Sequence, residues 1–276
     1  GDVAVVVRHI SGKIPSIEAL GLPPVVKSLA QLKRGLVLVV GAAGSGKSTT
    51  LASMIDHRNH TVGGHILTVE DPMEFEHAHA KAIVDQREVG LDTQSFDEAL
   101  RHAMREAPDV IMIGEIRDRE TMQHAMAYAE TGHLCLSTLH ANNANQAIQR
   151  ILNFYPETAH KQVLMDLSLN LKAVVGQRLI RGAAGRLVPA VEVMLLSPYI
   201  ADLIQKGQTD DIKDAMAKST EQGMLTFDQS LYTLYQSGAI TAEQAVEFAD
   251  SRTDLSLRIR LHTGQRPDTS SLQIKP

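Results

Sequence analysis

The sequence predicts an α/β fold: a mostly parallel sheet flanked by helices, followed by a helical C-terminal subdomain. Three observations lead there. From Leu36 onward, short apolar runs alternate with amphipathic helical stretches. One strand–helix junction carries "GAAGSGKS", a glycine-rich loop of the phosphate-cradling type. After about residue 197 the strand-like runs stop and only helical patterns remain. Alternation of this kind favours parallel strands, because each crossover helix must pack back onto the sheet.

The elements follow in order. "VAVVV" reads as a short strand, and "SGKIPSIEALGLPPVV", with three prolines and two glycines, supplies a linker over residues 11–24. "GLVLVVG" is a continuous apolar run suited to a buried parallel strand, and a helix begins near Lys47. "HILTVED" is a second strand. "SFDEALRHAMREA" is a helix with Phe96, Ala99, Leu100, Ala103, Met104 and Ala107 on one face. Ser95 and Glu98 have the spacing of a capping box at its start. "DVIMIGE" is a third strand, and "RETMQHAMAYAETG" a helix closed by Gly132. "LCLSTLH" is a fourth strand, followed by the helix "NQAIQRILNFY", stopped before Pro156. "SPYIADLIQKG", "TDDIKDAMAKST", "TFDQSLYTLYQSG" and "TAEQAVEFAD" are short helices with Ser, Thr or Pro starts. Residues 25–196 thus form the core and 197–261 the helical subdomain. Residues 262–276 turn polar and read as a disordered tail.

Composition narrows the function classes. A chain of 276 residues has ample core for one large domain or two small ones. A single cysteine, Cys135, excludes an internal disulfide and suits a reducing cytosol. The net charge of -5, without a dense Lys/Arg block, argues against nucleic acid as the main partner. No apolar run approaches the roughly 20 residues of a membrane span, so any membrane association is expected to be peripheral. The opening "GDVAVVVRHIS" starts with Gly1 and enters a strand at once, as expected of a fragment whose upstream part is missing.

The chemistry begins at Gly41–Thr49. In G-x-x-x-x-G-K-[ST], glycines let backbone N–H groups curl around phosphate oxygens at a helix N-terminus. Gly41, Ala42, Ala43, Gly44, Ser45, Gly46, Lys47, Ser48 and Thr49 are therefore the nucleotide-binding candidates. Lys47 would hold the β- and γ-phosphates, and the Ser48 hydroxyl would ligate Mg²⁺. Hydrolysis also needs acids at neighbouring strand ends. "HILTVEDP" delivers Glu70 and Asp71, and "DVIMIGEIRD" delivers Glu115. Asp71 and Glu74 fit a structural role as well as a functional one. Arg117 to Glu120 fits a solvated helix start equally well.

"TGHLCLSTLHANN" carries two histidines seven positions apart. Across an extended strand they lie roughly 23 Å apart, at about 3.3 Å per residue, so they cannot share a metal ion. His140 falls at the same strand edge as Ser48, Glu70 and Glu115, within reach of a γ-phosphate or a subunit boundary. His133 begins its strand at the far edge. Neither has a neighbour at zinc-ligand spacing.

Four segments in this order resemble one family. "GAAGSGKSTTLASMID", "TVEDPMEFEH", "APDVIMIGEIRDRET" and "TGHLCLSTLHANNA" resemble the Walker A, Asp box, atypical Walker B and His box of secretion-superfamily ATPases. These power type II secretion and type IV pili. The resemblance runs from Val3 to about Leu261 and is strongest to the pilus retraction ATPases of the PilT and PilU types. "VDQREVGLDTQSFDEALRHAMREAPD" resembles both, whereas "AETGHLCLSTLHANNANQAIQRILNFYPE" and "VLMDLSLNLKAVVGQRLI" lean toward the PilU type.

The resemblance implies a cytoplasmic homo-hexamer, peripheral at the inner membrane, each subunit pairing a PAS-like N-terminal domain with a RecA-like P-loop NTPase core. Residues 1–10 would be the last PAS-like strand. It implies ATP and Mg²⁺ as cofactors, Glu70 as the water-activating glutamate and Glu115 as the Walker B glutamate near the metal. His133 and His140 fall in the His box. Arg8 matches one of two family arginines that reach a phosphate across a subunit boundary. The implied partners are a PilT-like retraction ATPase and a PilC-like platform protein. PilT-type chains carry "AIRNLI" where this one has "YIADLI", which puts Ala201 at an arginine position and favours the PilU type. With one cysteine, the chain lacks the four-cysteine zinc module frequent in assembly ATPases. Two other readings stand beside the motor: an adaptor of low activity that works only with a PilT-like ring, and a type II secretion or pilus assembly ATPase. A nucleic-acid motor would need a basic lumen loop, which is not found.

Overall fold

The computed structural model describes residue 10, residues 12–183 and residues 185–263. The expected strand at 3–7, Arg8 and residues 264–276 lie outside the described residues. In chain order the first half contains α1 (Val25–Ala30), β1 (Gly35–Val40), α2 (Lys47–Thr61), β2 (Gly64–Glu70) and β3 (Ala82–Glu88). Then come α3 (Phe96–Ala103), β4 (Val110–Ile113), α4 (Arg119–Glu130), β5 (Leu134–Leu139) and α5 (Ala144–Leu152). The second half adds α6 (His160–Asn170), β6 (Leu171–Arg181), β7 (Leu187–Leu195) and α7 (Pro198–Gln205). It closes with α8 (Ile212–Ala217), α9 (Phe227–Gln236), α10 (Ala242–Glu247) and α11 (Arg252–Thr263).

The seven strands form one sheet in the order β3-β2-β4-β5-β1-β6-β7. Every neighbouring pair is parallel except the antiparallel β6–β7 edge. Side-chain alternation sorts the core into two layers. Leu36, Leu38 and Val40 pack with residues of α3 to α8, while Val37 and Val39 pack with α1 and α2. β1, β4 and β5 are buried along their whole length, which is why each reads as an unbroken apolar run.

The structure differs in detail from several of these expectations. The segment read as a linker packs into the core: Ile17 and Leu22 are buried beneath α1 and α2, and the Ser53 hydroxyl donates to the Pro15 carbonyl at 2.6 Å. Its prolines shape a packed turn. The helix expected across residues 95–107 ends at Ala103, and Ala107 adopts φ 48°. Met104 and Ala107 are consequently exposed instead of joining the buried face. Ser95 caps the helix by accepting the Glu98 N–H at 3.1 Å, but the Glu98 carboxylate accepts from Gln94 N–H and not from Ser95. The helical C-terminal part divides in two: α7 and α8 join the layer over the sheet, whereas α9 to α11 gather around Phe227 and Leu231 against Ile180 and Ala190. Its last helix also passes residue 262 and reaches Thr263.

Glu192 on β7 is 2% exposed and accepts the Ala144 N–H at 2.8 Å, in the first turn of α5. Burial pushes its carboxyl up from 4.5 to about 7. A carboxyl raised in the folded state contributes stability that is complete below 4.5 and lost as pH rises through 7. Glu192→Gln should therefore gain stability relative to the parent between pH 4.5 and pH 8, by up to about 3 kcal/mol. Urea unfolding at the two pH values measures the difference; a gap that does not change with pH refutes the assignment.

Candidate active site

The loop after β1 is shaped by close approach. A Cβ at Gly41 would fall on the Ser45 hydroxyl and the Gln177 carbonyl oxygen. Gly46 caps α2 at φ 91°, a left-handed conformation that glycine adopts without steric cost. Gln177, 3% exposed on β6, braces this loop by accepting the Thr50 hydroxyl at 2.7 Å. Lys47 is buried at the start of α2 and donates to the carbonyls of Gly41 at 3.0 Å and Ala42 at 2.9 Å. Burial lowers its pKa, while the nearby Glu115 and Glu74 charges oppose that shift.

A cavity of about 430 Å³ opens beside this loop, within the range of small-ligand sites. Ala43, Gly44, Lys47 and Ser48 line one side; Glu70, Asp71, Glu74, Glu115, Arg117 and His140 line the other. The acids arrive by register. β2 lies beside β4 in parallel, so Glu70 and Glu115 emerge at the same rim. Gly114 makes the approach possible: a Cβ there would lie 3.3 Å from both the Glu70 Cα and the Val69 carbonyl oxygen. The Thr138 hydroxyl on β5 donates to the Gly114 carbonyl at 2.7 Å and fixes the end of β4.

The two glutamates have different surroundings. Glu70 accepts the Thr68 hydroxyl at 2.9 Å and the Gln86 amide at 3.4 Å. Burial raises its pKa, and these hydrogen bonds offset the rise only in part. Glu115 sits between the His140 imidazole, Nε2 at 3.0 Å, and the Arg117 guanidinium, Nε at 2.8 Å. Arg117 reaches on to Asp71 at 3.3 Å, and its bond to Glu115 raises its own pKa. One guanidinium thus bridges the ends of β2 and β4.

Of the residues expected from sequence, Lys47, Ser48, Glu70, Glu115 and His140 meet on this cavity. Gly41, Ala42 and Ser45 line an adjoining groove with Asn142, Gln177 and Phe248, while Gly46 and Thr49 line neither. His133 is not brought into the site. It precedes β5 at the opposite rim, where its ring meets Thr131 and the edge of Tyr128. Arg117, for which the sequence left a functional role and a solvated helix start equally open, lines the cavity. Two residues escaped sequence reasoning. Gln177 lies in a strand that was not recognised. His77, seven residues past Glu70, lines the cavity at 7% exposure, with Nδ1 unpartnered among the described residues.

A family model described as "Type II/IV secretion system protein" matches residues 4–245. The chain belongs to this family. It is 57% identical over 271 residues to the type IV pilus ATPase PilU of Pseudomonas aeruginosa, spanning 98% of this chain and 70% of that protein. It is 44% identical to the type IV pilus retraction ATPase PilT of the same organism, across 88% of this chain and 71% of that one. The solved structure of the pilus retraction motor PilT with bound ADP superposes with a TM-score of 0.84 at 44% identity, covering 90% of this chain and 70% of that chain. The expected RecA-like P-loop core is the fold of that motor, and this family member is an ATPase of the type IV pilus retraction group.

Burial lowers the His77 pKa from 6.5 to about 4, so the ring is neutral at pH 7. Its contribution to stability is complete above 6.5 and is lost as pH falls toward 4. His77→Leu should remove up to about 3 kcal/mol of the acid sensitivity of folding in that window. Parallel acid titrations of parent and variant by circular dichroism measure it; identical acid slopes contradict the prediction.

Proposed function

We propose that the chain is an ATP-hydrolysing motor subunit of a type IV pilus machine, an accessory retraction ATPase of twitching motility. The reading rests on Lys47, Ser48, Glu70, Glu115 and His140 lining one cavity. Loop amides and Lys47 hold the β- and γ-phosphates. Glu70 orients a water and takes its proton as the water oxygen attacks the γ-phosphorus and the bond to the β-phosphate oxygen breaks, leaving ADP and phosphate. A carboxyl raised by burial is the better proton acceptor. His140 and Arg117 monitor the terminal phosphate from the Glu115 side.

The donor set fits a hard divalent cation carried in with the nucleotide. Ser48 and Glu115 offer oxygen donors, and among the described residues no group of three His, Cys, Asp or Glu could hold an ion unaided. Mg²⁺ held there supplies charge neutralisation for the β- and γ-phosphate oxygens. In this reading six subunits form a ring, and Arg8 of one subunit reaches a phosphate held by the next. A PilT-like motor and a PilC-like platform protein receive the work at the cytoplasmic face of the inner membrane. No helix among the described residues is long and apolar enough to cross a membrane.

Lys47→Ala should lower ATP turnover by at least about 100-fold through lost phosphate binding, and Glu70→Gln by about 100-fold or more as the proton acceptor is removed. Glu70→Gln should still bind ADP with parental affinity. Phosphate release and a fluorescent-nucleotide titration test both; parental turnover in the two variants discards the motor reading.

A further inference from the structure

Thr68 and Gln86 face each other across β2 and β3 in the parallel register. Thr68 is fully buried, and two positions along its strand lies Glu70 on the same face. Both residues donate to the same carboxylate oxygen of Glu70, Oε1, at 2.9 Å from Thr68 and 3.4 Å from Gln86. Neither bond uses Oε2, and the Glu74 backbone adds a further hydrogen bond to the carboxylate. Gln86 also accepts the His77 N–H at 2.7 Å and donates to the Phe75 carbonyl at 2.9 Å. Its amide therefore ties the loop after β2 to the carboxylate whose orientation that loop encloses. A buried hydroxyl costs desolvation that a valine of the same shape would avoid, so its value here lies in the bond it makes.

We propose that Thr68 and Gln86 are positioning residues that clamp Oε1 of Glu70 and thereby aim its second oxygen at the attacking water. This inference rests on the assignment of Glu70 as proton acceptor. The clamp acts on the chemical step alone: a carboxylate free to rotate misses the attack geometry, and misplacement of about 1 Å can cost 100-fold in rate. Nucleotide affinity, set by the loop after β1, should not change.

The test is ATP turnover and ADP affinity of the assembled protein carrying Thr68→Val or Thr68→Ser. Thr68→Val keeps shape and burial and should lower kcat about 10- to 100-fold, with ADP affinity within about twofold of the parent. Thr68→Ser restores the hydroxyl and should recover most of kcat. Added to Glu70→Gln, Thr68→Val should cause no further loss, because the two changes then act on one step. A parental kcat in Thr68→Val, an equal loss in Thr68→Ser, or a parallel loss of ADP affinity overturns the clamp. Parental turnover in Glu70→Gln would instead remove the underlying assignment, so the two failures are distinguishable.

Discussion

The parallel register of β2, β4, β5 and β1 is the constraint on which the site depends. Parallel strands all end at the same edge of the sheet, so whatever follows them is gathered there. β1 delivers the glycine-rich loop, β2 delivers Glu70, β4 delivers Glu115 and β5 delivers His140. A slip of one residue in any strand would turn its carboxylate or imidazole to the opposite face. Register is secured by complete burial of β1, β4 and β5, since every side chain in these strands has only one packed position.

Within the cavity, environment separates two chemically equal carboxyls. Glu70 is surrounded by neutral donors and by the like charge of Glu74, and burial lifts its pKa. Glu115 lies between a guanidinium and an imidazole. The first arrangement favours taking up a proton; the second holds the carboxylate in place through hydrogen bonds from two side chains. Gly114 permits both at once, because any side chain there would press β4 away from the end of β2. The glycine before Glu115, which departs from the usual acid of this strand motif, is thereby explained as spacing.

Much of this was legible in the sequence because it was carried by local patterns. The loop motif, four strands and most helices are written as apolar runs, caps and glycines. β3 escaped because "AIVDQRE" buries only its first half and ends in charge. β6 and β7 escaped because they pair with each other antiparallel at the sheet edge, with no crossover helix between them to mark the alternation. α11 alternates charged and apolar residues without a clean stripe, with only Leu255 and Ile259 deeply buried. The packing of residues 11–24 was not legible because prolines signal a break in hydrogen bonding, which says nothing of Ile17 and Leu22 packing into the core. At the site, sequence named Lys47, Ser48, Glu70, Glu115 and His140, which line one cavity. It missed His77 and Gln177, whose positions come from neighbours distant in the chain.

The most direct measurement is a structure of the assembled protein with Mg²⁺, ADP and aluminium fluoride, which mimics the transferring phosphoryl group. The account predicts the fluoride adduct between Lys47 and the ends of β2 and β4, with the metal on the Ser48 and Glu115 side. The attacking water should lie within about 3.2 Å of the Glu70 carboxylate. A water positioned by another side chain, with Glu70 turned away from the adduct, would contradict it.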